Sequence, residues 1–81
     1  MKKVLKFSAS WCGPCKALAM TMNSVMTDVE IENVDIDENM ELAAKYGIRG
    51  VPTMVMLEDG HEVKRVSGAL TKDKLEGWLN D

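Results

Sequence analysis

Trp11-Cys12-Gly13-Pro14-Cys15 follows the strand-like run Val4-Leu5-Lys6-Phe7 and opens a stretch with helical spacing. Its two cysteines are the only ones in the chain. Strand, sharp turn and helix in that order place both sulfurs at the first turn of a helix. There a two-residue gap allows a small disulfide ring to close and reopen. A helix N-terminus presents unpaired N–H groups and partial positive charge. These favour a thiolate over a thiol at the first cysteine, and the thiolate is the reactive form. The pentapeptide therefore reads as a redox dithiol. Pro14 stiffens the ring and suits a first helical turn, where its missing N–H costs little.

Working outward, residues 2–7 predict a strand and the helix starts near Cys12. Cys15, Leu18, Ala19, Met22, Val25 and Met26 recur at helical spacing and predict one buried face. Val29 to Asp35 predicts a second strand. A short helix follows, capped by Asn39 and stopped at Gly47. Met54-Val55-Met56-Leu57 is an apolar run expected of a strand covered on both faces. Asp59-Gly60 signals a tight hairpin with residues 62–67 as the antiparallel partner. Thr71 caps a last helix, Leu70 and Leu75 staple its start, and Leu75, Trp78 and Leu79 bury it. The order is β-α-β-α-β-β-α. The expectation is an α/β fold with a right-handed parallel first βαβ unit, a four-stranded mixed sheet and helices on both faces.

Eighty-one residues suit a single domain, 1–81. A chain this short hides only about 60% of its unfolded surface. Net charge is −3 with dispersed basic residues, which argues against nucleic acid or anionic lipid as partner. Apolar runs are too short to cross a bilayer. The Met1-Lys2-Lys3 start resembles a signal peptide, but Lys6 breaks the apolar stretch and a cytoplasmic location is expected. There a two-cysteine motif is more often catalytic or metal-binding than structural. Zinc wants four ligands, and the chain offers two cysteines plus His61 in the hairpin. Only a dimer sharing zinc or an iron–sulfur cluster would complete a set, so no metal is expected. The methionines at core spacing, Met22, Met26, Met54 and Met56, read as flexible core filler.

The chain resembles the thioredoxin family. The matching segments are Trp11-Cys12-Gly13-Pro14-Cys15-Lys16, Val34-Asp35-Ile36-Asp37, Lys45-Tyr46-Gly47-Ile48-Arg49-Gly50-Val51-Pro52-Thr53 and Gly68-Ala69-Leu70. They fall in the family's order and cover essentially the whole chain. Full-length thioredoxins carry an additional strand and helix at the N-terminus, so the resemblance implies the trimmed, glutaredoxin-sized form of the thioredoxin fold. A second departure is Lys6. The family usually places a buried Asp there, and often a Lys at the position matching Asn33.

The resemblance implies a protein-disulfide reductase working by thiol–disulfide exchange. Cys12, at the exposed helix end, would attack a disulfide of a partner protein. Cys15 would then attack Cys12 and release the reduced partner. Pro52 resembles the family's cis-proline facing the cysteine pair, with the Val51 backbone free to pair with an extended substrate. Trp11, Gly13, Pro14, Gly50, Val51, Gly68 and Ala69 would form the substrate rim. No cofactor is expected, because the dithiol is itself the reagent. A thioredoxin reductase drawing on NADPH, or glutathione, would re-reduce it. The partners would be disulfide-containing proteins, met by a monomer. Lys6, a cation near the dithiol, is expected to favour the thiolate and make the protein more oxidising than an ordinary thioredoxin. The alternatives are a glutathione-dependent glutaredoxin-like oxidoreductase and a non-enzymatic binding module. Ser67-Gly68-Ala69-Leu70 lacks the glutaredoxin Gly-Gly and Asp pattern, so weak glutathione binding is expected.

Overall fold

The computed structural model describes residues 1–81. Strand β1, Lys2–Ser8, runs through the middle of the sheet. It leads into helix α1, Gly13–Met22, and then strand β2, Glu30–Asp35. Helix α2 spans Met40–Lys45. Strand β3, Thr53–Glu58, and strand β4, His61–Ser67, form a hairpin, and helix α3, Lys72–Asn80, closes the chain. The four strands lie in the order β2-β1-β3-β4. β1 pairs parallel with β2 and antiparallel with β3. The mixed α/β architecture is the expected one, with strand boundaries within about a residue of those read from sequence.

Strand alternation sorts side chains between two cores. Val4 of β1 joins Met54 and Met56 of β3 on one face, under Leu18 of α1 and Leu75 and Leu79 of α3. Leu5 and Phe7 point the other way, with Val34 and Val55, and meet Leu42, Ala43 and Tyr46 from α2 and its end. Thr53 to Met56 is buried throughout. That continuous burial is why the strand reads as an unbroken apolar run rather than an alternating one. Lys6 falls between Val4 and Ser8 on the α1 face.

The hairpin turn follows its chemistry. Asp59 and Gly60 have φ of 53° and 87°, the two consecutive left-handed positions that a two-residue primed turn needs. Thr71 accepts the Lys74 N–H at 3.4 Å, and Leu70 packs on the cluster that holds Leu75. At the sheet's edge Lys3 on β1 reaches Glu32 at 2.6 Å and Glu30 at 3.6 Å on β2. On the other edge strand Arg65 pairs with Glu62 at 2.6 Å.

Three expectations fail for local reasons. Met26 is 79% exposed rather than core, because α1 ends at Met22. The N–H groups of Asn23, Ser24 and Val25 donate three residues back, to Met20, Thr21 and Met22, at 3.1–3.2 Å. This tighter winding ends the 3.6-residue repeat before position 26. Ala19 is exposed because it lies on the flank of α1 turned toward β2, lining a groove instead of the core. Asn39 precedes α2 but gives it no side-chain cap. Its amide donates instead to the carbonyl of Asp35 at 3.0 Å, which also accepts the Asn39 and Glu38 backbone N–H groups.

Candidate functional site

β1 ends at Ser8, and the next four residues turn the chain into α1. The Ala9 carbonyl accepts the Cys12 N–H at 3.2 Å. Cys12 then takes extended angles, φ −96° and ψ 112°, and serves as the N-cap of α1. Its sulfur accepts the Cys15 N–H at 3.2 Å, doing with sulfur what a Ser or Asp oxygen does at most helix starts. Such a donor binds more strongly as negative charge builds on the sulfur. Pro14 occupies the first turn, as expected. Both cysteines are free thiols.

Two further loops converge on this point. The Cys12 thiol faces the Val51 carbonyl at 3.6 Å, and the Val51–Pro52 bond is cis. The Thr53 hydroxyl donates to the Gly50 carbonyl at 2.7 Å and lies 3.2 Å from the Ser67 hydroxyl across the hairpin. The Gly68 N–H donates to the Pro52 carbonyl at 3.0 Å. Gly68 has φ +95°, a turn that L side chains rarely adopt. Gly50, Val51, Pro52 and Gly68 are thereby brought to the end of the sheet that carries Cys12, with exposed Ala69 following. Trp11 is 67% exposed but anchored, its indole N–H donating to Asp37 at 2.9 Å.

The exposed helix end expected for Cys12 is where the structure differs. Cys12 and Cys15 are each 5% exposed, packed with Ala9 and against Val51 and Ile36. Depth therefore does not distinguish the two thiols. Their surroundings do. Burial pushes the Cys15 thiol up to about 11, helped by its hydrogen bond to Cys12 and opposed by the Ala9 backbone and by Lys6. Lys6 is 7% exposed. Burial draws its ammonium below the usual lysine range, and the nearby Cys15 sulfur works in the other direction. It lies opposite Asn33 in the β1–β2 register, so the buried cation has no carboxylate directly across from it on that strand. His61 begins β4 at the end remote from Ser67 and the cysteines, and cannot join them around one ion.

Asp37, Ile36 and Ala9 belong to this site, and sequence reasoning assigns them no role in it. The only available signal is that Ile36 and Asp37 sit in a segment shared with the family. Nothing in Ala9-Ser10 marks it.

A cysteine pair at a helix start, on a four-stranded sheet with helices on both faces, defines a thiol–disulfide oxidoreductase. The thioredoxin family model matches residues 1–81. A thioredoxin of Rhodospirillum rubrum is 39% identical over 77 aligned positions, covering 90% of this chain and 74% of that protein. Among solved structures, a mutant thioredoxin from Halobacterium salinarum NRC-1 superposes with a TM-score of 0.90 at 38% identity, covering 98% of this chain and 72% of that one. Fasciola hepatica thioredoxin gives 0.87 at 40% identity, covering 98% and 78%. The chain belongs to the thioredoxin family. It is accordingly a protein-disulfide oxidoreductase, with disulfide-containing proteins as substrates and a reductase as its source of electrons. No helix is long and apolar enough to cross a membrane.

Proposed function

We propose that Cys12 is the attacking thiol and Cys15 the resolving one. The observation that carries this assignment is the asymmetry of the pair: the Cys15 N–H points at the Cys12 sulfur, while burial holds the Cys15 proton in place up to about 11. The Cys12 thiolate attacks one sulfur of a substrate disulfide, and the other substrate sulfur leaves as a thiolate. Cys15 then loses its proton and attacks Cys12. The ring disulfide forms, the mixed disulfide breaks, and the substrate departs with two electrons and its second sulfur reduced.

The mixed disulfide itself primes the second step. Hydrogen bonding to Cys12 and its charge are among the causes that hold the Cys15 proton. Both vanish once Cys12 is bonded to the substrate, and Lys6 remains to favour the Cys15 thiolate.

Trp11, Gly13, Pro14, Gly50, Val51, Pro52, Gly68 and Ala69 form the surface that receives the substrate. The rim is flat and mostly apolar, which suits many partners at modest affinity. The protein works as a cytoplasmic monomer without a bound cofactor. A thioredoxin reductase with NADPH is the preferred reductant. Ser67-Gly68-Ala69-Leu70 offers no charged group to a glutathione carboxylate. Insulin reduction coupled to NADPH oxidation tests this directly: it should run with a thioredoxin reductase and be slow with glutathione and its reductase. Faster turnover with glutathione would reverse the assignment of reductant.

Lys6 sets the redox poise through Cys15. Its ammonium favours the ionised form of the neighbouring thiol and so the reduced protein. Lys6→Asp should raise the Cys15 pKa further and lower the reduction potential, with Lys6→Met between the two. In a two-electron couple about 30 mV corresponds to about 1.4 kcal/mol, so a tenfold effect is measurable by equilibration with a dithiol buffer. Equal potentials and thiol titrations in wild type and both variants would remove Lys6 from the mechanism.

A further inference from the structure

Beside Cys15 the surface falls into a groove of about 500 Å³ between α1 and the β1–β2 part of the sheet. It exists because α1 and α3 cover β1 and β3 and only the Ile31 part of β2 on that face, leaving Asn33 exposed beside it. Lys6 lines it. Although Lys6 is more than nine-tenths buried, its side chain makes no hydrogen bond or ion pair with the protein. No side-chain nitrogen or oxygen in the molecule is both sealed and unpaired, so the ammonium opens into the groove.

The rest of the lining has matching character. Lys16 adds a second cation, and Ser8, Ser10 and Asn33 add donors whose side chains bond to nothing in the protein. Asp35 is the one acidic residue; its Oδ1 accepts the Asp37 N–H at 2.8 Å, and the two lysines outweigh its single charge. The lining is thus net positive on a chain whose overall charge is −3. An ammonium held this deep is only partly hydrated where it meets the groove, and an anion beside it offsets that loss.

We propose that this groove binds a small oxyanion, a carboxylate or phosphate group, with Lys6 as its buried counter-charge and Lys16, Ser8 and Asn33 completing the shell. The ligand would lie next to Cys15. Its negative charge opposes a thiolate there, so ligand binding and Cys15 ionisation disfavour each other reciprocally. On the assignment of Cys15 as resolving thiol, the occupied groove slows release of the substrate. The binding itself does not depend on that assignment.

The test is an amide NMR titration of the reduced protein with sodium phosphate and, separately, sodium acetate, at constant ionic strength. Saturable shifts are expected at Ser8, Ser10, Lys16 and Asn33. They should be lost in Lys6→Met and Lys6→Gln and weakened several-fold in Lys16→Gln. Saturation by phosphate alone assigns a phosphate-bearing ligand, and saturation by acetate as well assigns a carboxylate. Shifts that never saturate, that spread equally to Lys64, Lys72 and Lys74, or that persist in both folded Lys6 variants overturn the site. The Cys15 titration should move upward at saturating anion. An unmoved titration beside saturating amide shifts overturns the coupling to Cys15.

Discussion

Replacing Cys15 by serine should stop turnover and leave substrate bonded to Cys12. The first exchange needs only the Cys12 thiolate. The second depends on a sulfur whose backbone N–H already touches Cys12 Sγ at 3.2 Å. Well-oriented intramolecular reactions reach effective molarities of roughly 10⁵–10⁸ M. External thiol at millimolar concentration cannot match that, so a loss of roughly 10³-fold or more in multiple turnover is expected. The mixed disulfide should accumulate and be visible by intact mass. Cys12→Ser should abolish reduction without trapping anything. Trapping through Cys15 in Cys12→Ser, with no adduct in Cys15→Ser, would invert the two roles. Cys12→Ser also separates enzyme from binding module, because a purely structural partner would still be captured by it.

Phe7→Ala is expected to unfold a large fraction of the molecule at physiological temperature. Phe7 is fully buried near the end of a central strand, among Leu5, Val34 and Val55. Its ring centroid lies 6.0 Å from that of Tyr46, tilted by 53°. Emptying such a site costs about 3–5 kcal/mol. A domain of this length commands roughly 4–12 kcal/mol in total. The melting temperature should fall by about 15–30 °C, since each kcal/mol is worth about 4–8 °C in a small domain. Phe7→Leu should cost well under half as much. A loss below about 1 kcal/mol for Phe7→Ala by urea titration would show that the α2 side of the sheet contributes little.

What sequence alone reveals follows the physics of each signal. Asp59-Gly60 is readable because two left-handed residues in succession are costly for most side chains, so the turn writes itself into composition. Thr71 is readable because a cap is a local hydrogen bond. Periodicity also marks Leu18, Leu75 and Leu79 correctly. It fails at Met26 and Ala19, because apolar spacing continues past the point where α1 tightens and stops, and because a helix lying to one side of a sheet buries a narrower stripe than its sequence offers. Asn39 misleads because its amide can donate as well as accept, and it turns back to the Asp35 carbonyl at the end of β2 instead of forward to the helix. The site divides the same way. Cys12, Pro14 and Pro52 are legible from motif. The seal over Cys12 by Ala9, Val51 and Ile36, and the Trp11–Asp37 bond, join residues from separate loops that only the folded chain brings together.

The ion pairs along the two outermost strands have a consequence for crowding. β2 and β4 each leave a row of backbone donors and acceptors facing outward, the arrangement that invites sheets to fuse. On β2 that row is flanked by Glu30 and Glu32, and on β4 by Glu62, Lys64 and Arg65. Two copies meeting through β2 would bring carboxylates face to face. The same Lys3 that holds Glu32 in place neutralises only part of that charge. A dissolved population of this chain is therefore guarded against strand-by-strand stacking at the side where its sheet is least covered.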